Sequence, residues 1–300
     1  MPFRQPSVTF PTTIEKGQSV AITLGATGVQ TQGMTPKSSN GQSIVGILLE
    51  IEASITKTSA GAWTVSQLFG GLRVTKGGNS NVRLAVNSYK QLVCLVNALT
   101  RLDETSTRYF SNPQNAGAVG QSTQTMKVFL PLELRTADVI PQFTFTYNGV
   151  GGANSAISGA TAGTVTTTIT YYYSNMNVQD DHINIVTAPT SLNANTAIDV
   201  STYFAGSTVI DEVWMDVGTD ATLEHQTFRI GDTPVYPLVS AYALRAYTNP
   251  APQTITINGL FQMKTNITSF PANGVSGTKP ILDVTFTAPV VPTFYLFSKI

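Results

Sequence analysis

Ile47-Leu48-Leu49-Glu50-Ile51-Glu52-Ala53-Ser54-Ile55-Thr56 is the stretch that decides the fold class. On an extended backbone Ile47, Leu49, Ile51, Ala53 and Ile55 fall on one side, and Glu50, Glu52, Ser54 and Thr56 on the other. This is the period-two signature of a half-buried β-strand. The alternation recurs along the chain. Val128, Leu130, Leu132 and Leu134 alternate with Phe129, Pro131, Glu133 and Arg135, and Phe143, Phe145 and Tyr147 oppose Thr144 and Thr146. The segment Thr164 to Tyr173 repeats it with Val165, Ile169, Tyr171 and Tyr173. Threonine-rich outer faces suit strands, because β-branched side chains pack well on a pleated surface.

Two segments break toward helix. From Asn81 to about Asp103, the residues Val82, Val86, Tyr89, Val93, Val96 and Leu99 recur at three- and four-residue spacing, with Arg83, Lys90 and Arg101 off that face; the spacing predicts one amphipathic helix. A shorter helix is expected after Pro237, through Leu238, Ala241, Tyr242 and Arg245, before Asn249-Pro250 stops it.

The two helices suggest an internal repeat. Leu72-Arg73-Val74 and a Lys76-Gly77-Gly78-Asn79 turn precede the first; Phe228-Arg229-Ile230 and Gly231-Asp232-Thr233-Pro234 precede the second. Upstream lie Ile47 to Thr56 with Trp63, and Val209 to Val217 with Trp214; downstream, the series end in Thr164 to Tyr173 and in Ile281 to Phe286. Two β modules are therefore expected, residues 1–180 and 181–300, joined by a linker between Asn175 and Ser191. The stretch Asn148 to Gly163 reads as a low-complexity loop, expected to be exposed, variable, or ordered only by a neighbouring subunit. Gly25 to Gln42 reads as a polar connection.

Composition narrows the function. Hydrophobic residues make up 42% of the 300-residue chain and charged residues only 11%, with 17 basic and 17 acidic side chains giving zero net charge. That excludes a disordered chain and leaves no basic field for capturing nucleic acid or an anionic membrane. Met1-Pro2-Phe3-Arg4-Gln5-Pro6 lacks the apolar core of a signal peptide, so folding is expected in the compartment of synthesis. A lone cysteine, Cys94, excludes an intrachain disulfide.

Catalytic candidates are few. His182 follows Asp180-Asp181, but neighbours in an extended segment point to opposite sides; His225 reads as a surface residue at a strand end. Cys94 reads as a small buried hydrophobe. Gly274-Val275-Ser276-Gly277-Thr278-Lys279-Pro280 lacks phosphate-loop spacing, and Asn266-Ile267-Thr268 is a bare glycosylation sequon. Trp63, Trp214 and Tyr171-Tyr172-Tyr173 fit a sandwich core or a subunit interface better than a sugar platform, with at least one tyrosine facing outward. No catalytic, cofactor-binding or metal-ligating residue is assigned.

Tandem β modules, each with a helix between strands, long Gly/Ser/Ala/Asn loops and a neutral polar surface resemble the double jelly-roll major capsid proteins of tailless icosahedral viruses. That group includes the membrane-containing bacteriophages and the adenovirus hexon. Leu72-Arg73-Val74 with the Asn81 to Asp103 segment, and Phe228-Arg229-Ile230 with the segment after Pro237, anchor the likeness. The resemblance implies an all-β fold of two eight-stranded jelly rolls and a homotrimer of pseudo-hexagonal outline. It further implies neighbouring capsomers and minor capsid proteins as partners, a place in the virion shell after synthesis in the host cytoplasm, and an internal lipid membrane nearby. No direct nucleic-acid contact and no cofactor is expected. The competing readings are a two-module carbohydrate-binding β-sandwich using Trp63 or Trp214, and a β-sandwich glycosidase for which Glu50 and Glu52 share a face.

Overall fold

The computed structural model describes residues 11–26, 30–36, 42–78, 81–100, 109–137, 139–203, 209–219, 222–240, 260–264, 270–271 and 279–299. They fall into two compact units, one from residues 8–96 and 104–179, the other mainly from residues 180–300. Alternating hydrophobicity builds both.

The first unit holds β1 (Thr13–Lys16), β2 (Val20–Leu24), β3 (Gln30–Met34), β4 (Ser43–Lys57), β5 (Phe69–Lys76) and β6 (Val82–Val86). After α1 (Tyr89–Thr100) come β7 (Phe110–Ser111), β8 (Gly120–Leu130), β9 (Leu134–Arg135), β10 (Pro141–Tyr147) and β11 (Ala160–Ser174). In one antiparallel sheet β1 and β2 both pair with β11, β11 with β4 and β4 with β8; β7 and β9 add short edges on β8 and β4. In the other the order is β6-β5-β10-β3. The apolar sides of both sheets meet in a core: Ile47, Ile51, Ala53, Ile55, Phe143, Phe145, Tyr147 and Tyr171 are fully buried. Phe143 and Tyr171 pack across it with ring centroids 5.6 Å apart, and the Tyr147 hydroxyl hydrogen-bonds Thr167.

The second unit holds β12 (Asp181–Thr187), β13 (Asn195–Asp199), β14 (Val209–Ile210), β15 (Glu212–Asp216), β16 (Leu223–Ile230) and β17 (Thr233–Ser240). It continues with β18 (Leu260–Lys264), β19 (Phe270–Pro271), β20 (Pro280–Phe286) and β21 (Thr293–Lys299). One sheet runs β12-β21-β15-β18, the other β13-β20-β16-β17, and β14 pairs with β19. Val213, Met215, Phe228, Leu282, Val284, Phe286, Phe294 and Leu296 belong to its core.

The two units share one wiring. With β1 and β2 counted together and the two-residue strands set aside, each has eight strands. One sheet joins the first, eighth, third and sixth, and the other joins the second, seventh, fourth and fifth. Two packed antiparallel sheets connected in this way form a jelly roll, and the chain carries two of them. The repeat expected from sequence aligns β4 with β15 as third strands and β5 with β16 as fourth strands. Its far end was one strand out of step: Ile281 to Phe286 lies in β20, the seventh strand, whereas Thr164 to Tyr173 lies in β11, the eighth, whose counterpart is β21.

The expected helix from Asn81 is divided. Val82 to Val86 is β6, hairpinned to β5, and only Tyr89–Thr100 is helical; residues 101–103 lie outside the described residues. The physical reason is parity: Val82, Leu84 and Val86 also recur every second residue, and Leu84 and Val86 are buried. The helix starts where Ser88 can cap it, its hydroxyl accepting the Gln91 N–H at 3.2 Å while the Gln91 side chain accepts the Asn87 N–H at 2.8 Å. After Pro237 the chain continues as β17 to Ser240, so Leu238 is in a strand; Ala241, Tyr242 and Arg245 lie outside the described residues. β17 is an edge strand, the place in a sheet where prolines such as Pro234 and Pro237 are tolerated.

Three supposed connections carry structure. β3 lies inside Gly25 to Gln42, where a polar edge strand gave no alternation to read. β12 lies inside the expected linker. The Asn148 to Gly163 loop is anchored, with Val150 and Ile157 each only 1% exposed and backbone bonds from Val150 to Gly25 and from Thr58 to Gly159. Gly163 makes room for it, since a Cβ there would meet Ile55, Val150 and Leu24.

Candidate functional site

The residues singled out by chemistry are dispersed. His182 sits on β12 opposite Ser298, whose hydroxyl donates to the His182 carbonyl at 3.2 Å. Its neighbour Asp181 is buried and paired with Lys299 at 2.6 Å. His225 is exposed on β16. Cys94 is fully buried in α1, among Leu92, Val93, Leu95 and Val96, where a thiol packs as a small apolar group. Among the described residues no three His, Cys, Asp or Glu side chains converge. Residues 274–278 and the Asn266 sequon lie outside the described residues.

The aromatic candidates separate by strand parity. Trp63 and Trp214 are each 1% exposed, and their indole N–H groups donate to the Ser122 hydroxyl at 3.2 Å and to the Glu212 carboxylate at 2.5 Å. Neither presents a ring to a sugar. Tyr171 and Tyr173 face the core, and burial followed by the charge of Glu15 drives both phenols well above their ordinary range. Burial likewise raises Tyr147, against the opposing hydrogen bond to Thr167. Tyr172 points the other way and is half-buried on the outer face of β11. There its ring meets Phe129 edge-on at 5.4 Å, and Phe129 meets Tyr109 at 5.9 Å. Phe129 lies across Gly46, where a Cβ would come within 2.6 Å of the ring.

Glu50 and Glu52, the candidate glycosidase carboxylates, stand in different surroundings. Glu50 and Glu52 share the outer face of β4, but Glu50 is neutralised by Lys127 across the strand pair at 2.6 Å. On the second unit's β13-β20-β16-β17 sheet, Arg229 clasps Asp283 through Nε at 2.6 Å, and Lys279 reaches Asp199 at 2.8 Å. Burial disfavours the charge on Asp199, but hydrogen bonds from Lys279 and Ser201 outweigh it and hold the carboxyl below its usual range. These are structural ion pairs, each spoken for.

A depression of about 420 Å³ lies over the outer face of β5 and β6, lined by Gly70, Gly71, Arg73, Ala85, Asn87 and Thr146. Small residues make its floor: a Cβ at Gly71 would clash with the Val86 carbonyl. With one charged side chain and no acid-base pair in its lining, it can hold a group but has nothing with which to transform it.

The fold has known counterparts. The STIV MCP, from Sulfolobus Turreted Icosahedral Virus, aligns over 95% of this chain and 95% of its own, with a TM-score of 0.62 and 13% identity. The PBCV-1 virus capsid protein aligns over 95% and 93%, at 0.62 and 12%. The major capsid protein P2 from bacteriophage PM2 aligns over 93% and 96%, at 0.59 and 10%. The architecture is thus that of the double jelly-roll major capsid proteins. No protein-family model matches the sequence, and no curated protein does.

Proposed function

We propose that this chain is a structural capsid protein, not an enzyme, that assembles as homotrimers. Its two jelly rolls, residues 1–180 and 181–300, would supply six to a pseudo-hexagonal capsomer. The capsomers would tile an icosahedral shell with minor capsid proteins, around an internal lipid membrane, after synthesis in the host cytoplasm. The observation that carries this reading is the end-to-end agreement with capsid proteins, over 95% of both chains in the STIV case. The near-neutral surface supports it, because many copies carrying a large charge of one sign would repel each other. The carbohydrate reading loses its sugar platform with the burial of Trp63 and Trp214.

The test is light scattering on the purified chain across micromolar concentrations and a range of salt. The expected mass is that of three 32.0 kDa chains, resistant to moderate salt because the contacts are not chiefly ionic. A stable monomer with no larger species at any salt would refute the reading.

A further inference from the structure

Of the four Asn-Gly pairs in the chain, Asn40-Gly41, Asn258-Gly259 and Asn273-Gly274 lie outside the described residues, and Asn148-Gly149 stands where β10 ends and the loop to β11 begins. An asparagine followed by glycine is prone to one spontaneous reaction, attack of the glycine nitrogen on the side-chain amide carbon, because glycine has no side chain to shield that nitrogen. Here both residues are tied down. The Asn148 N–H donates to the Leu68 carbonyl at 2.8 Å, and its side-chain Nδ2 donates to the Gln67 carbonyl at 3.1 Å. A carbonyl only accepts, so the Gln67 contact fixes which end of the amide is nitrogen. The Asn148 Oδ1 lies over Gly70, where a Cβ would stand 3.2 Å from it. On the other side the Gly149 carbonyl accepts the Ala156 N–H at 3.0 Å, and Val150, 1% exposed, donates to the Gly25 carbonyl at 3.1 Å. To reach the Gly149 nitrogen, the amide carbon must leave Gln67 and the backbone must turn between these two anchored stretches.

We propose that Asn148 is a deamidation site that the closed Asn148 to Gly163 loop protects and that opening of the loop releases. The loop is suited to act as the gate because much of its order is internal. Ser155 Oγ accepts the Gly151 N–H at 3.1 Å and donates to the Ile157 carbonyl at 2.7 Å. Opening a segment of this kind costs less than unfolding the jelly roll that carries it. Once it is open, the Gly149 nitrogen bonds to Asn148 Cγ, the Cγ–Nδ2 bond breaks, and ammonia leaves with the proton from the Gly149 nitrogen. Water then opens the succinimide at either carbonyl, giving aspartate or its β-linked isomer, with no change of oxidation state. Both products lack the Nδ2 donor and set a carboxylate oxygen against the Gln67 carbonyl, two acceptors with no proton between them. The β-linked isomer also lengthens the backbone and shifts Val150 away from Gly25. The reaction does not run back, so it marks each chain whose loop has opened and keeps that loop from regaining its tie to the turn at Val65–Gln67.

The experiment holds the full chain at mildly alkaline pH, both natively and in guanidinium chloride, and follows Asn148 by peptide mass spectrometry and isoaspartate content. Conversion in the native chain should be slower than in the unfolded chain by a factor of about ten or more. Ser155→Ala, which removes both internal loop bonds, and Ile157→Ala, which removes an apolar anchor, should keep the parental circular dichroism and convert Asn148 several-fold faster than the parent. Asn148→Asp, standing in for the product, should keep the spectrum and be cut within residues 148–163 by a protease several-fold faster. Equal conversion in native and unfolded chains would overturn the protection. Parental rates in both loop variants would overturn the loop as its gate, and a parental cleavage rate for Asn148→Asp would overturn the lasting effect on the loop. If Ile157→Ala does not fold, Ser155→Ala decides alone, since its change leaves the apolar core intact. None of these outcomes bears on the capsid reading.

Discussion

Replacing Gln226 with methionine should make the second jelly roll more stable, because the native amide is stranded. Gln226 lies on β16 between Val239 and Val284 in register, two residues from Phe228, and is 1% exposed. Its side-chain nitrogen and oxygen both lack a hydrogen-bond partner. A buried polar group without a partner costs about 1–3 kcal/mol. Methionine keeps the length and flexibility of the side chain, so little packing is lost in exchange. The expected gain is about 1–2 kcal/mol, which for a module of this size raises the thermal midpoint by roughly 3–10 °C. Calorimetry and urea unfolding at a constant m-value would measure it. Gln226→Glu should do the reverse and cost several kcal/mol by burying an unpaired carboxylate. A methionine variant destabilised by more than about 1 kcal/mol would refute the reasoning, by showing that the amide is satisfied in solution.

The tyrosines of the first core should respond in opposite ways. Tyr147→Phe removes the bond to Thr167 and should cost about 1 kcal/mol, whereas Tyr171→Phe removes a hydroxyl that has no partner and should be neutral or stabilising by urea unfolding. Replacing Gly151 to Gly159 with a short Gly-Ser turn should lower the thermal midpoint, and Ile157→Ala alone should cost about 2–4 kcal/mol, because Ile157 is a core residue despite its loop. Asp199 has a folded pKa below its unfolded value of about 3.9, so the stability it contributes is present above about pH 4 and lost as pH falls through the lower folded value. Lys279→Met should flatten that part of an acid-unfolding curve by no more than about 1 kcal/mol, the pair being partly solvated.

The strands and the inward side of each were legible from residue order alone. Ile47 to Thr56, Phe143 to Tyr147 and Thr164 to Tyr173 are strands with their apolar members buried, because the two-residue pleat is a local property of the backbone that sequence spacing reports directly. Spacing failed where one pattern serves two structures. Val82 and Val86 satisfy a helix and a strand equally, and only pairing with β5 made them a strand. It failed again where the stabilising contacts are distant. β3 is held through its backbone by β10, more than a hundred residues away, and the Asn148 to Gly163 loop by two apolar anchors among fourteen small or polar positions. The buried Gln226 and the polar strand β3 had no signal in the sequence. Each depends on which faces meet in three dimensions, and jelly-roll wiring brings together strands that are far apart along the chain.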